Sequence, residues 1–230
     1  MPEFAVILPA AGRSTRFGGQ ISKVFQLLDN RPVLARTLAA FAQRADVAQI
    51  VVASDDAESV RECAKFLDPG EKSKLHVCPG GTSRAGSVRA AAMACRDSVD
   101  WIAVHDAARP LVSQELISRC FEAALLHGAA AAALPVHLTI KQAVGPLPAP
   151  VKQTLRRDQL WAMQTPQAMR RRDLLDAFDA CPIPLDQITD DVQLLELVGK
   201  PVWLVEGEER NLKITTPTDM QIAHALLSTL

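Results

Sequence analysis

Tyrosine is absent, and seven phenylalanines with three tryptophans bring the aromatic share to only 4% of 230 residues. That is little for an all-β sandwich, whose strands favour aromatic side chains, and ordinary for an α/β chain. Charge of either sign is also missing in excess, with 25 Lys+Arg against 26 Asp+Glu and a net charge of −1. A domain built to coat nucleic acid would show a basic surplus, so no nucleic-acid partner is expected. Acidic disorder is excluded as well, because 48% of residues are hydrophobic and only 22% are charged. Long apolar runs are lacking: the longest, Phe4–Ala11 and Ala129–Val136, fall far short of the ~20 residues of a membrane-spanning helix. No Lys or Arg precedes Arg13, so the positive flank of an export signal is missing, and a strand-like run from Phe4 does not suit a transit peptide. Cys63, Cys78, Cys95, Cys120 and Cys181 are odd in number and form no Cys-x-x-Cys pair. Neither a disulfide framework nor a thiolate zinc site follows. The expectation is a cytoplasmic chain, with no membrane partner and with reduced structural thiols.

What is present is an alternation of short and long patterns. Phe4–Pro9, Gln49–Ser54, Lys74–Pro79, Asp100–His105, Ala130–Val136 and Val202–Glu206 are short, mostly continuous apolar runs. Such runs suit strands buried on both faces, as in a parallel sheet covered by helices. Between them, Pro32–Arg44, Ala57–Phe66, Arg84–Arg96, Gln114–His127, Arg170–Phe178, Asp190–Val198 and Thr218–Leu227 read as helices. The spacing predicts an α/β fold with a doubly wound, mostly parallel sheet. One stretch breaks the rhythm: Thr139–Val144 and Val151–Leu155 flank the turn Gly145-Pro-Leu-Pro-Ala-Pro150. A β-hairpin arm over residues 137–160, inserted into a single domain over residues 1–230, is expected; a loose surface loop is the alternative. An isolated hairpin is marginal in water, so an arm of this kind should pack on something, such as a second subunit. The final helical pattern runs close to Leu230, so no second fused catalytic domain is expected.

Several loops carry chemistry. Pro9-Ala-Ala-Gly12 leads into Arg13, Arg16 and Lys23. Small residues let a backbone approach phosphate, and successive N–H groups form an anion cradle. The loop is not a dinucleotide fingerprint, because Ser14 stands two residues after Gly12, and it is not a P-loop, because Phe17 occupies the position where Gly-Lys should begin. A plain strand-to-helix turn with solvated cations remains open for this loop taken alone. Gly80-Gly-Thr-Ser-Arg-Ala-Gly-Ser87 is a second flexible turn entering a helix, with Arg84 and Ser87 at its start. His105-Asp-Ala-Ala-Arg-Pro110 follows a strand, at the edge where open α/β sheets place ligands. Asp106 there suits a metal ion or a sugar hydroxyl, or simply a turn cap. Thr189-Asp-Asp191 supplies two acids, and Lys213 lies in a strand-like piece, Asn211–Thr215, where an outward-facing role is the plain alternative.

Taken in order, Pro9-Ala-Ala-Gly12…Arg16…Lys23, Gly80-Gly…Arg84…Ser87, His105-Asp-Ala-Ala-Arg-Pro110, Thr139-x-Lys141, Thr154…Arg157…Trp161…Thr165-Pro-Gln167, Thr189-Asp and Asn211-x-Lys213 closely resemble the 2-C-methyl-D-erythritol 4-phosphate cytidylyltransferase family. The resemblance covers essentially the whole chain. It implies that CTP and a polyol phosphate, 2-C-methyl-D-erythritol 4-phosphate, react with Mg²⁺ to give a CDP-alcohol and pyrophosphate. It further implies that Arg16 and Lys23 stabilise the transition state, and that Arg157 and Lys213 orient the acceptor phosphate. Asp106, Thr139 and Thr189 would bind the acceptor, Asp106 also lying near the metal. Ala10, Ala11, Gly12, Gly81, Arg84, Ser87 and Ala107 would hold the nucleotide. A homodimer completed by the arm is implied as well.

The chain departs from the family pattern at Ser14 for a common Gly, at Ser22 and Val24 around Lys23, at Ser83 for Glu and at Leu138 for Asp. The nearest rival reading is D-ribitol 5-phosphate cytidylyltransferase, because Leu138 adjoins the implied acceptor site. A non-catalytic nucleotide-binding module is a rival of another class. An NAD-dependent oxidoreductase is disfavoured by the absent fingerprint, and a metal hydrolase by the absence of any His-x-x-x-His pair.

Overall fold

The structure is a computed structural model that describes residues 2–12, 17 and 22–228. The strands are β1 (Phe4–Pro9), β2 (Leu27–Leu28), β3 (Arg31–Pro32), β4 (Val47–Ala53), β5 (Leu75–Cys78), β6 (Trp101–Val104), β7 (Ala129–Pro135), β8 (Lys141–Ala143), β9 (Val151–Thr154), β10 (Trp161–Arg170) and β11 (Trp203–Glu206). The helices are α1 (Val33–Ala42), α2 (Ala57–Ala64), α3 (Pro69–Lys72), α4 (Arg84–Met93), α5 (Gln114–His127), α6 (Arg171–Asp179), α7 (Asp191–Leu197) and α8 (Pro217–Leu227). Seven strands form the main sheet in the order β11-β7-β10-β6-β1-β4-β5. Every neighbouring pair is parallel except the two that involve β10, which runs antiparallel to both β6 and β7. This is the doubly wound, mostly parallel α/β sheet expected from the sequence.

The continuous apolar run of β1 has a simple cause. Phe4, Val6 and Leu8 enter a core with Leu38 and Phe41 of α1, Val60 and Cys63 of α2, and Leu116, Ile117 and Phe121 of α5. Ala5 and Ile7 point the other way, into a core with Val88 of α4, Leu174 and Phe178 of α6, and Leu194 and Leu195 of α7. Both faces of the strand are therefore dry, and alternation with polar residues has no place in it. Phe4 stacks on Phe121 with ring centroids 3.8 Å apart, tying β1 to α5. Removing such a fully buried ring by Phe→Ala typically costs about 3–5 kcal/mol. Helix ends obey local chemistry: Asp56, Ser83, Ser113 and Asp190 each accept a backbone N–H at an N-cap. At the far end of α5, Gly128 adopts φ +94°, a region that glycine enters without a Cβ penalty.

Two departures from the sequence reading have physical reasons. β10 is a ten-residue strand in the middle of the sheet, where the sequence predicts none. Pro166 cannot donate a ladder hydrogen bond, which argues against an interior strand. The chain accommodates it with a register shift between Met163 and Gln167 against β7. Lys213 does not lie in a strand: Asn211–Thr215 is irregular, fixed by Ile214 N–H donating to Ala108 O at 2.9 Å and by Ile214 packing with Leu28, Val33 and Leu111. In the segment at residues 137–160, β8 pairs antiparallel with β9, Lys141 opposite Thr154.

Candidate active site

The carboxyl ends of β1, β4, β5 and β6 open onto one cleft of about 850 Å³. Its neutral wall is made by Ala10, Ala11 and Gly12 after β1, Gly80 and Gly81 after β5, Ser87 in the first turn of α4, and Ala107. Lys23, Arg84 and Lys213 supply positive charge, and Asp55 and Asp106 are the acids that line it among the described residues. Glycine is required at 80 and 81 by crowding: a Cβ at Gly80 would sit 2.2 Å from the Ala11 Cβ, and one at Gly81 would sit 2.4 Å from the Gly86 carbonyl carbon. The Gly81 N–H donates to Ser87 Oγ at 3.0 Å, and the Ser87 hydroxyl donates to Ser83 O, so this turn is held closed by the helix it precedes. Asp55 accepts the Gly80 N–H at 3.1 Å from the neighbouring strand end.

Asp106 is the electrostatic hub. Its Oδ1 meets Arg84 Nε at 3.3 Å, while Oδ2 meets Lys213 Nζ at 3.0 Å and Arg109 Nε at 3.2 Å. Burial alone would raise its pKa, but Arg84, Lys213 and Arg109 outweigh that and hold the carboxylate well below its usual range. Arg84 also reaches Asp191, Nη2 to Oδ2 at 2.8 Å. Burial works against the Arg84 charge, but Asp191 and Asp106 overcome it and raise its pKa. Arg109 donates through Nη1 to Asn211 O at 2.7 Å, joining the Asp106 turn to the segment that carries Lys213.

Behind this cluster lies a neutral relay. Thr165 Oγ1 accepts the Asp106 N–H at 3.0 Å and lies 3.0 Å from His105 Nδ1, while His105 Nε2 lies 3.1 Å from Arg109 O. The one hydroxyl proton of Thr165 is then donated to Nδ1, and Nε2–H donates to the carbonyl. Burial pushes the His105 pKa down to about 4, so the ring stays neutral and serves as a strut. Asn211 Nδ2 donates to Thr165 O at 2.8 Å, closing the frame.

The sequence-predicted residues divide four ways. Lys23, Asp106, Lys213, Ala10, Ala11, Gly12, Gly81, Arg84, Ser87 and Ala107 line the cleft together. Thr139 and Arg157 are exposed on the arm, where Arg157 donates to His137 O, and neither lines the cleft of its own chain. Thr189 is exposed ahead of α7, and its N–H and hydroxyl donate to Gln193 Oε1 at 2.7 and 3.0 Å. Arg16, Arg13 and Ser14 lie outside the described residues. Ser22, where the family favours proline, has φ −56°, the value a proline ring would impose, so the approach to Lys23 keeps that backbone. Ser83, in place of glutamate, caps α4 by accepting the Gly86 N–H at 3.0 Å.

Arg109, Thr165 and Asp191 stand in the motifs of the sequence without an assigned site role, and Asp55 stands in none. Asp55 adjoins Asp56, which caps α2 by accepting the Ser59 N–H, and nothing local marks its neighbour. Asp191 was visible only as one of two adjacent acids, and its partner Arg84 lies 107 residues away.

A magnesium ion commonly takes one or two carboxylates and completes its shell with water and substrate phosphates. Among the described residues no cluster of three His, Cys, Asp or Glu could hold a metal by itself. Among the described residues Asp106 Oδ1 accepts only the Arg84 contact, so it suits an ion brought in with a polyphosphate, and the donor set fits magnesium in that form alone.

Comparison with known proteins is consistent along the whole chain. Residues 4–229 match the family model described as 2-C-methyl-D-erythritol 4-phosphate cytidylyltransferase (IspD). A protein of that name from Gloeobacter violaceus is 41% identical over 226 residues, covering 97% of this chain and 96% of the relative. A bifunctional IspD/IspF enzyme from Desulfotalea psychrophila is 37% identical over 99% of this chain, which spans 57% of that longer relative. The crystal structure of the Francisella tularensis 2-C-methyl-D-erythritol 4-phosphate cytidylyltransferase superposes with a TM-score of 0.82 at 32% identity, covering 97% of this chain and 99% of the other.

Proposed function

The chain belongs to the 2-C-methyl-D-erythritol 4-phosphate cytidylyltransferase family, and from that premise we propose how its cleft carries out CTP-dependent cytidylyl transfer to 2-C-methyl-D-erythritol 4-phosphate. The reaction belongs to isoprenoid-precursor synthesis through methylerythritol phosphate. The observation that carries the reading is the convergence of Lys23, Arg84 and Lys213, from three distant stretches of chain, on one cleft with a neutral glycine-alanine wall.

An oxygen of the acceptor phosphate attacks the α-phosphorus of CTP in line; a P–O bond forms there as the bond to the β-phosphate oxygen breaks, and pyrophosphate leaves. Both reactants are anions and repel as they meet. Positioning and charge stabilisation are therefore the protein's task, with no covalent intermediate. The uncharged wall of Ala10, Ala11, Gly12, Gly81, Ser87 and Ala107 takes the nucleoside, and Arg84 takes the triphosphate. Lys23, with Arg16, stabilises charge growing on the equatorial oxygens. Lys213, aimed by Asp106, meets the acceptor's phosphate. A bound magnesium ion, held by the triphosphate and Asp106, would supply further neutralisation of phosphate charge.

Thr139 and Arg157 complete the acceptor pocket of a second subunit, and Thr189 adds to the acceptor's surroundings. Exposure supports the dimer. Leu138 and Leu147 on the arm are 76% and 85% exposed, with Val144 and Val151 also bare, an apolar surface that a second copy would cover. A cytoplasmic location is part of the proposal; among the described residues no helix is long and apolar enough to cross a membrane.

Pyrophosphate release measured with CTP and each of two acceptors tests the reading. Turnover with 2-C-methyl-D-erythritol 4-phosphate and little with D-ribitol 5-phosphate is expected. The reverse preference would reassign the acceptor, and CTP binding without any release would leave only a nucleotide-binding module.

A further inference from the structure

Asp191 is fully buried, yet its carboxylate has a single protein partner among the described residues. Oδ2 accepts Arg84 Nη2 at 2.8 Å, and Oδ1 has none. The residue opens α7, but that helix start does not depend on it. Asp190 Oδ1 accepts the Gln193 N–H at 3.1 Å, and Gln167 Oε1 accepts the N–H groups of Asp191 and Val192 at 2.9 and 3.1 Å. The free N–H groups of the first turn are thus met without the Asp191 side chain. A buried carboxylate with an unpartnered oxygen is costly, and a residue kept only to start a helix would avoid that cost.

What the carboxylate does is hold Arg84. Nη2 is bound by Asp191 and Nε by Asp106, the latter contact longer at 3.3 Å. These two anchors fix the plane of the guanidinium and leave Nη1 without a protein partner among the described residues. The Arg84 side chain is 28% exposed and lines the cleft. Arginine's planar fork makes such orientation consequential, because two fixed edges dictate where the third nitrogen points. Asp106 is already shared with Lys213 and Arg109, so among the described residues Asp191 is the one acid devoted to Arg84.

We propose that Asp191 is a positioning residue for nucleotide binding: it locks Arg84 so that Nη1 faces the cleft as a ready donor to the polyphosphate of the incoming nucleoside triphosphate. This rests on the functional reading above and extends it to a residue that never touches substrate. When the polyphosphate arrives it competes with Asp106 for the guanidinium, while the shorter Asp191 contact keeps Arg84 in place.

The test uses inorganic tripolyphosphate as a probe, titrated calorimetrically against the full chain, together with KM and kcat for CTP. Arg84→Gln should weaken tripolyphosphate binding about tenfold, and Asp191→Asn about fivefold, with KM for CTP rising in step and kcat changing by less than about threefold. The double variant should bind no more weakly than Arg84→Gln alone, because the effect of Asp191 passes through Arg84. It should also melt at a higher temperature than Arg84→Gln, which leaves a buried carboxylate without its cation. Unchanged binding by Asp191→Asn, or a double variant whose losses multiply, would overturn the proposal. Should Asp191→Asn fail to fold, Asp191→Glu keeps the charge but displaces the fork, and wild-type binding by it would be equally fatal. The titration reads the Arg84–Asp191 pair even if no acceptor is turned over, so it fails separately from the functional reading.

Discussion

The ammonium of Lys213 stands 3.0 Å from Oδ2 of Asp106, on the oxygen that Arg109 holds at 3.2 Å. The carboxylate thus receives one cation that is tied to the Asn211 backbone and another that lines the cleft. Lys213→Ala is expected to raise KM for the acceptor by about tenfold or more, through loss of a charge-assisted contact to its phosphate. Steady-state kinetics with the acceptor varied at saturating CTP reads this directly, and an unchanged KM would remove Lys213 from the acceptor site.

Lys23 lines the same cleft. It also lies within electrostatic reach of Asp219, whose pKa is lowered: burial works upward, and the backbone N–H groups of Thr215 and Thr216 with the Lys23 charge pull it down. Lys23→Ala should cost kcat about 10²–10³-fold, the usual loss when one donor to developing charge is removed. The circular dichroism spectrum should stay as in the wild type. Near-normal turnover would end the assignment of Lys23 to the transition state.

Arg157 provides a test of subunit sharing. Arg157→Ala should raise KM for the acceptor, and at an acceptor concentration far below that raised KM, where neither variant alone turns over appreciably, mixing it with Lys23→Ala should restore activity. Only the mixed dimer owns one intact site, so equilibrated equal parts should recover about a quarter of wild-type turnover. No recovery after exchange of subunits would show that each chain works alone.

His105 makes the fold sensitive to acid. Burial lowers its pKa from 6.5 to about 4, so the folded state prefers the neutral ring while the unfolded chain takes up a proton. Stability is then complete above pH 6.5 and is lost as pH falls toward about 4, by an amount on the order of 3 kcal/mol. Asp106, held below the usual carboxylate range, adds a further loss at still lower pH. Thermal melts across this range should show the decline, and His105→Asn should flatten it between pH 6.5 and 4. An equal slope in the variant would place the sensitivity elsewhere.

Gly81→Ala is expected to raise KM for CTP about tenfold with a smaller change in kcat, because its Cβ would collide with the backbone of Gly86 and Ser87 and push the turn out of place. Unaltered CTP kinetics would mean the turn yields without cost.

The fold was legible where one physical cause acted alone. β1 reads as a strand because both its faces are dry, and α4 reads as a helix because its serine cap and small-residue face lie within one stretch of sequence. β10 was not legible, because Pro166 signals an interruption and the compensating register shift depends on β7, about thirty residues earlier. Lys213 reads as a strand residue from the sequence, but the Ile214 N–H donates to Ala108 O and not to a neighbouring strand. At the site, cations near glycine turns were visible as loops, but the acid that serves each cation was not. Arg84 and Asp191 belong to different helices, and only the packing of α7 against the sheet makes them partners.

The reversal at β10 has a consequence for how this chain can change over time. Pro135 at the end of β7 lies opposite Trp161 at the start of β10, and Val136 N–H donates to Leu160 O at 3.1 Å. The excursion between them therefore leaves and re-enters through one doorway. Segments tethered in this way can grow, shrink or be exchanged without disturbing the strands behind them. On the function proposed above, the arm's share of the acceptor contacts can drift with that module while the cleft of Lys23, Arg84 and Lys213 stays anchored in the body of the protein.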